Sequence, residues 1–434
     1  MKKKYIYDSV DPVHVNLNDL PTHQAHLLAN SKTFCIYPWI HIHTYPTGET
    51  YPCCHADMHE PIGTTKENTL EELWNSDKMQ ELRLNMLHDR PSNVCNGCYE
   101  QEKSGFFSGR KSANKHHGHH IKRVDETTPA GHSDRFQLTY WDTRFSNLCN
   151  LSCRSCGHIF SSSWYKDQVA LCEDAGDFNW GKNHRALNIA GRYSDDMLEQ
   201  LIEHIDVVEQ IYFAGGEPLQ MHEHYVILEE LVKRKRFDVR LIYNTNFTNL
   251  SLKDKHVFDY WKQFQSVSVG ASLDADGYRA EYIRKGTNWD VVVENRKRMI
   301  EECPSADFYI SATLSIMNAM HVPDFHESWV QMGFIQPQDF NINILQDPMH
   351  FRIDVANAVY RELLQERYKK HIKWLEDKDP LNRASTGYKS ALTFMQSTDN
   401  SHLINDLFGK IEQMDIIRGE YVFDYIPELE WLNK

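Results

Sequence analysis

Residues 142–156 read DTRFSNLCNLSCRSC, which sets Cys149, Cys153 and Cys156 at C-x3-C-x2-C spacing. Thiolates are soft ligands that suit iron–sulfur clusters and zinc. A structural zinc site or an ordinary cubane takes four protein ligands, and this motif offers three. Three thiolates leave one iron of a [4Fe–4S] cluster open to an outside ligand. A second set lies earlier. Cys35, Gly48 and Cys53 are separated by twelve and then four residues, and NVCNGCYEQE adds the C-x2-C pair Cys95 and Cys98. Four thiolates in two pairs can close around a metal, and zinc and an Fe–S cluster both fit that donor set. Gly48 would supply a turn that returns the chain to the metal. Cys54 neighbours Cys53 and competes with it as a ligand; spacing ranks Cys53 first. Cys172 and Cys303 belong to neither set.

Other polar motifs follow in order. FAGGEP contains Gly215, Gly216, Glu217 and Pro218. Two glycines at a strand end let backbone approach a ligand closely, and a carboxylate just beyond can pair with an ammonium. YNTN ends in Asn246. SLDADG begins at Ser272, and YIRKG carries Arg284, whose forked donors suit a carboxylate. Residues 103–134 are polar and locally basic, with Lys111, Lys115, Lys122 and Arg123 around the run KHHGHH (His116, His117, His119, His120). Clustered histidines without a further spaced ligand make a poor specific metal site, so this segment reads as a solvated, mobile linker.

Composition bounds the rest. The chain has 434 residues and a formal net charge of −14, with a mean hydropathy of −0.60. It is long enough for two or three domains. Acidity argues against non-specific nucleic-acid binding through the overall field. There is no apolar run of the roughly 18 residues a membrane span needs. Met1-Lys2-Lys3-Lys4 is basic, but no apolar stretch follows it as in a signal peptide. A cytoplasmic location is expected, and clustered cysteines there point to metal rather than disulfides.

The motifs must be held by regular elements. From residue 137 strand and helix candidates alternate: strands at 137–145, 206–213, 239–243, 266–272, 308–315 and 340–345, with amphipathic helices such as 195–205 and 224–235 between them. Repeated β-α units imply an α/β fold with a parallel sheet and a site at the C-terminal strand ends. Thr69 and Glu72 form a capping box ahead of a helix that carries Leu70, Leu73, Trp74, Met79, Leu82 and Met86. Residues 347–434 read as helical, either capping the barrel mouth or completing the core.

C-x3-C-x2-C just after a strand, followed in order by GGEP, SLD and IRKG, resembles the radical S-adenosylmethionine (SAM) enzymes. The layout of Cys35, Gly48, Cys53, Cys95 and Cys98 resembles the twitch domain, a shortened SPASM domain, here placed before the core. Two departures are visible. The residue before the third cysteine, often aromatic in the family, is Ser155, and Phe247 stands where the family often has glycine after Asn246. The resemblance implies a partial (β/α)6 TIM-like barrel over residues 135–346, an N-terminal twitch domain over 1–102, a linker over 103–134 and a helical region over 347–434.

It further implies that Cys149, Cys153 and Cys156 hold a SAM-cleaving [4Fe–4S] cluster, and that Cys35, Cys53, Cys95 and Cys98 hold an auxiliary Fe–S cluster. Gly215, Gly216, Glu217, Pro218, Asn246, Ser272 and Arg284 become SAM-binding candidates. The implied activity is reductive cleavage of SAM to a 5′-deoxyadenosyl radical that abstracts hydrogen from a peptide or protein side chain. The electron would come from a donor such as flavodoxin or ferredoxin. Dehydrogenation or epimerisation of a small carbohydrate-like substrate is the second expectation. A non-catalytic zinc or redox-sensing scaffold explains the cysteines but not the ordered GGEP, SLD and IRKG segments. No residue stands out as a catalytic acid or base.

Overall fold

A computed structural model describes residues 15–103 and 107–433; the basic start Met1–Lys4 lies outside them. A nine-stranded sheet organises the chain. Its strands are β1 (His43–Thr44), β2 (Glu49–Tyr51), β3 (Gly63–Thr64), β4 (Tyr140–Thr143), β5 (Gln210–Phe213), β6 (Arg240–Thr245), β7 (Val267–Ala271), β8 (Asp307–Leu314) and β9 (Phe340–Ile344). The spatial order is β9-β8-β7-β6-β5-β4-β1-β2-β3. Strands β4 to β9 are all parallel and lie side by side in sequence order, as in a partial (β/α)6 barrel. Such pairing needs crossover connections, and helices supply them, including Asp196–Ile202, His222–Lys233 and Trp289–Glu302. β7 is buried at every position, as expected of a strand covered on both faces. β8 alternates half-buried and buried residues.

The N-terminal module joins this sheet. β1 pairs parallel to β4 with His43 opposite Asp142, and the hairpin β1–β2 and strand β3 extend the edge. Gly48 turns that hairpin with φ of 103°, and its N–H donates to the Tyr45 carbonyl at 2.9 Å. The capping box forms at Thr69–Glu72. The single helix expected there is two, Leu70–Trp74 and Asp77–Leu87, because Ser76 caps a new start through the Met79 N–H.

Residues 103–134 correct the expectation of a solvated linker. Gly109–His117 is an α-helix and Gly118–Glu126 a run of 3-10 helix. Arg110, Ala113, His117, Ile121, Arg123 and Val124 are buried. Arg110 donates to the Phe34 carbonyl at 2.9 Å, and Arg123 donates to the Trp39 and Gln137 carbonyls. His117 stacks on Tyr140, so a run that looks polar in sequence buries its rings and stems.

The C-terminal region is helical: Ala358–Leu375, Arg383–Ser397, Ile404–Arg418 and Val422–Tyr425. Arg383–Ser397 lies against edge strand β9, where Gly387 meets Ile342. Among the described residues no helix is long and apolar enough to cross a membrane.

Candidate metal centres and the site between them

The loop after β4 carries Cys149, Cys153 and Cys156. Ser162 and Ser163 donate hydroxyl bonds to the Cys149 carbonyl, Ser161 donates to the Leu151 carbonyl, and Trp164 Nε1 donates to the Cys153 carbonyl at 2.7 Å. Ser152–Cys153 also pairs antiparallel with Arg284–Lys285, so the cysteine loop and the YIRKG segment are one ladder. All ten cysteines are free thiols. Burial pushes Cys149 and Cys156 up to about 12, and nearby Cys153 adds to both shifts. Burial also raises Cys153, opposed by the Arg284 guanidinium. Three mutually repelling, desolvated thiols are a poor resting place for thiolates in water. They suit a metal that takes the place of their protons.

Gly215 and Gly216 press on this loop. Gly215 has φ of 120°, a conformation that favours glycine. A Cβ on Gly216 would lie 2.2 Å from the Leu148 carbonyl oxygen and 2.7 Å from the Asn147 carbonyl carbon. Glu217 N–H donates to the Leu148 carbonyl at 2.7 Å, locking the two loops together. Asn246, at the end of β6, donates to Asn150 Oδ1 at 2.8 Å and stands 4.0 Å from Cys149 Sγ. Ser272 N–H donates to the Thr245 carbonyl at 2.7 Å, fixing the turn after β7. Pro218 is buried and opens a short 3-10 turn. Phe247 takes the left-handed conformation at φ of 59°, where glycine would be unstrained. Its ring is fully buried against Phe308, which offsets the strain.

Two of the candidate SAM contacts have partners within the protein. Glu217 is fully buried and its carboxylate is hydrogen-bonded. Oε1 accepts from Thr245 Oγ1 at 2.7 Å and from the Leu219 N–H at 3.1 Å, and Oε2 accepts from the Asn246 N–H at 2.7 Å. Burial still raises its pKa to about 7, against those three bonds. These bonds tie the GGEP turn to the end of β6. Arg284 likewise does not hold a free fork. Nε and Nη2 form a bidentate pair with Asp274 at 2.8 and 2.9 Å, leaving Nη1 at 3.7 Å from Cys153 Sγ. Asp274 is buried, and its two oxygens match the forked donors of the guanidinium.

Asp274 is a residue that sequence reasoning missed, although the SLD motif carried it. Arg154, between the second and third cysteines, is another. Its guanidinium contacts Asp415 and lies 2.7 Å from Glu420, 3.7 Å over the Tyr282 ring. Arg418 donates to the Ser152 carbonyl and to Asp167, both at 2.7 Å. The end of the helix Ile404–Arg418 therefore grips the back of the cysteine loop, a contact with no local signal.

In the N-terminal module Cys35, Cys53, Cys95 and Cys98 line one enclosed, apolar cavity of about 20 Å³, with Tyr37, His55 and Arg110 among its walls. Cys54 is not in that lining, and its neighbours include Asp142 and Arg144. Burial pushes Cys95 up to about 12 and Cys35 higher. Asp142, next to β4's end, centres a trio: His43 Nδ1 is 2.9 Å from Asp142 Oδ2, and Arg144 Nε is 3.1 Å from Asp142 Oδ1. Burial alone would raise the Asp142 pKa; Arg144 and His43 override it and hold the carboxyl well below its usual range.

Residues 35–99 match the SPASM family model, described as an iron–sulfur cluster-binding domain. This segment is similar to SPASM domains. Its bounds begin at Cys35 and enclose Gly48, Cys53, Cys95 and Cys98, the residues that line or shape the cavity. The SPASM-like segment shares its sheet with the barrel through β1 and β4.

No curated protein matches the chain. Among solved structures, anSMEcpe with bound AdoMet aligns at 18% identity and a TM-score of 0.37, over 56% of this chain and 61% of that one. The same protein with AdoMet and the Kp18Cys peptide aligns at 17% and 0.37, over 56% and 61%. TYW1 with a lysine-pyruvate adduct aligns at 13% and 0.28, over 55% and 71%. The chain thus spans about three-fifths of the length of the anSMEcpe chains.

Proposed function

We propose that this chain is a radical SAM enzyme. Cys149, Cys153 and Cys156 hold its SAM-cleaving [4Fe–4S] cluster, and Cys35, Cys53, Cys95 and Cys98 hold an auxiliary Fe–S cluster. The observation that carries this reading is three coupled free thiols on the loop after the first of six sequence-ordered parallel strands, with Gly215–Gly216 packed against that loop and Arg284 beside it. When bound, the cluster and SAM supply a one-electron cleavage that yields a 5′-deoxyadenosyl radical able to take hydrogen from a substrate.

The protein's own groups bind, orient and shield. Gly215 and Gly216 bring bare backbone to the rim of the site, where their carbonyls can accept from the SAM amine. Asn246 and Ser272 flank the same rim, and Pro218 stiffens the turn behind it. Arg284, aimed by Asp274, sets positive charge next to Cys153 and so favours the thiolate a cluster needs. Arg154 and Arg418 anchor the loop from behind and close that side to water.

The substrate class proposed is a peptide or protein side chain, on the strength of the SPASM-like segment beside the proposed radical SAM core. An electron donor such as flavodoxin or ferredoxin completes the reaction. Electron paramagnetic resonance of the reconstituted, reduced protein tests the open-iron assignment. Addition of SAM should change the signal of the cluster held by Cys149, Cys153 and Cys156. A signal indifferent to SAM would count against it. Turnover with candidate peptides tests the substrate: altered small metabolites with unaltered peptides would overturn that part alone.

A further inference from the structure

The end of the barrel opposite the cysteine loop carries a second cluster of ligand-type side chains. His119 and His120 lie in the 3-10 run Gly118–Glu126. Glu209 immediately precedes β5, at the N-terminal end of the parallel strands. The Nε2 atoms of both histidines converge on one oxygen, Glu209 Oε2, at 2.8 and 3.1 Å, and the two rings stand 4.1 Å apart. The three ligand atoms all lie within 4.8 Å of one another. The spaced ligand that the histidine run lacks in sequence is supplied by the fold.

We propose that His119, His120 and Glu209 bind a divalent first-row transition ion, with Zn2+ as the probe, and that this ion clamps residues 118–126 to the base of the barrel. Two imidazoles and a carboxylate are a standard donor set for such ions. Bonds of about 2.0–2.2 Å at tetrahedral angles put ligand atoms roughly 3.3 Å apart. The two nitrogen–oxygen spacings, 2.8 and 3.1 Å, need to open by only a few tenths of an ångström, and the two nitrogens already lie within 4.8 Å of each other. Burial lowers the His120 pKa, which favours the neutral imidazole a metal needs, and hydrogen bonds from the two imidazoles hold Glu209 well below the usual carboxylate range against burial. All three groups are partly accessible, so an ion can enter and water can complete its shell. Thr139 Oγ1, 3.3 Å from His120 Nε2, sits just before β4 and is a further oxygen at the site.

The site is not part of the proposed radical chemistry. The cysteine loop leaves the C-terminal end of β4, and this cluster sits at the N-terminal ends of β4 and β5. Its consequence is mechanical. The clamped segment also carries Arg123 on the Trp39 and Gln137 carbonyls, so an ion here would tie the SPASM side of the molecule to the barrel.

The test uses the full, cluster-loaded chain under anaerobic conditions. After incubation with Zn2+ and dialysis, metals are counted by mass spectrometry and the zinc K-edge is recorded. The expected result is one zinc per chain in addition to the iron, with nitrogen and oxygen scattering at about 2.0–2.1 Å and no sulfur at about 2.3 Å. His119→Ala/His120→Ala loses that zinc, and Glu209→Gln weakens its Kd about tenfold or more. His116→Ala keeps it, because that ring is turned to the Ser112 carbonyl. Zinc should raise the thermal midpoint of the wild type and of His116→Ala but not of the double variant. Sulfur in the zinc shell, equal zinc in wild type and double variant, or no retained zinc would each overturn the proposal and leave a hydrogen-bonded trio only. Glu209→Gln changes no backbone and keeps the test decisive where the double variant does not fold.

Discussion

Replacing Gly216 with alanine probes the contact that seats the cysteine loop. The added Cβ would lie 2.2 Å from the Leu148 carbonyl oxygen and 2.7 Å from the carbonyl carbons of Asn147 and Leu148, against ordinary contact at 3.4 Å and beyond. These are backbone atoms, so no side chain can swing away. The two loops must part by about 1 Å. That movement breaks the bonds from the Gly216 N–H to Ser146 and from the Glu217 N–H to Leu148, at 3.3 and 2.7 Å. Leaving buried backbone groups unpaired costs roughly 1–3 kcal/mol each, so the loss of both bonds should cost about 2–6 kcal/mol. Cys149 follows Leu148 directly. A displacement of about 1 Å at a reacting centre is enough for a loss on the order of 10²-fold in rate. The assay is 5′-deoxyadenosine formation from SAM after anaerobic reconstitution and reduction, alongside iron content and thermal midpoint. Gly216→Ala should retain the iron of the SPASM domain yet form deoxyadenosine at about 1% of the wild-type rate. Gly409→Ala, with nothing within 4 Å of its added Cβ, should behave as wild type. Wild-type deoxyadenosine from Gly216→Ala would refute the reasoning.

Three other perturbations follow from the geometry. Arg154→Gln leaves Asp415 buried without its cation, while Glu420 keeps Lys285 at 2.7 Å, and should destabilise the chain by about 3–5 kcal/mol in urea unfolding, whereas a loss under about 1 kcal/mol would show that the Arg154–Asp415 pair is not buried in solution. Glu217 has a folded pKa raised to about 7 from an ordinary 4.5, so its stabilising protonated form is complete below about pH 4.5 and is lost as pH rises through about 7. That is roughly 3 kcal/mol at 1.36 kcal/mol per unit, and Glu217→Gln should unfold with a flatter dependence on pH across that window; identical profiles would contradict the burial argument. Cys53→Ser should lower the iron bound by the N-terminal module and Cys54→Ser should not, since only Cys53 lines the four-thiol cavity; the reverse result would exchange the two ligands.

The parts legible in sequence were those with local physical causes. The six barrel strands announced themselves as short β-branched and aromatic runs separated by amphipathic helices. The two cysteine sets were legible because thiolate spacing has few other uses in a chain with no paired disulfides. Gly48 was legible as a turn. What could not be read depended on partners far along the chain. Nothing near Arg284 says that Asp274 will occupy its fork, and nothing near Glu217 says that Thr245, Asn246 and Leu219 will consume its oxygens. The 103–134 segment looked solvated because its charges and histidines were counted by residue type. In the fold the Arg110 and Arg123 guanidinia find carbonyls, His117 finds an aromatic stack, and only then is burial favourable. The joining of β1 to β4, which makes the SPASM domain and the barrel one sheet, pairs residues a hundred positions apart and left no trace in either segment.

The central claim is that the triad Cys149, Cys153 and Cys156 supports SAM cleavage beside a separately held second cluster. Its most direct test is anaerobic reconstitution with iron and sulfide, reduction in the presence of SAM, and measurement of iron per chain and 5′-deoxyadenosine. Wild type is compared with Cys149→Ala/Cys153→Ala/Cys156→Ala. The account predicts deoxyadenosine from wild type alone, with the iron of the SPASM domain remaining in the triple variant. Iron-loaded wild type that forms no deoxyadenosine, or a triple variant that forms as much, would contradict it.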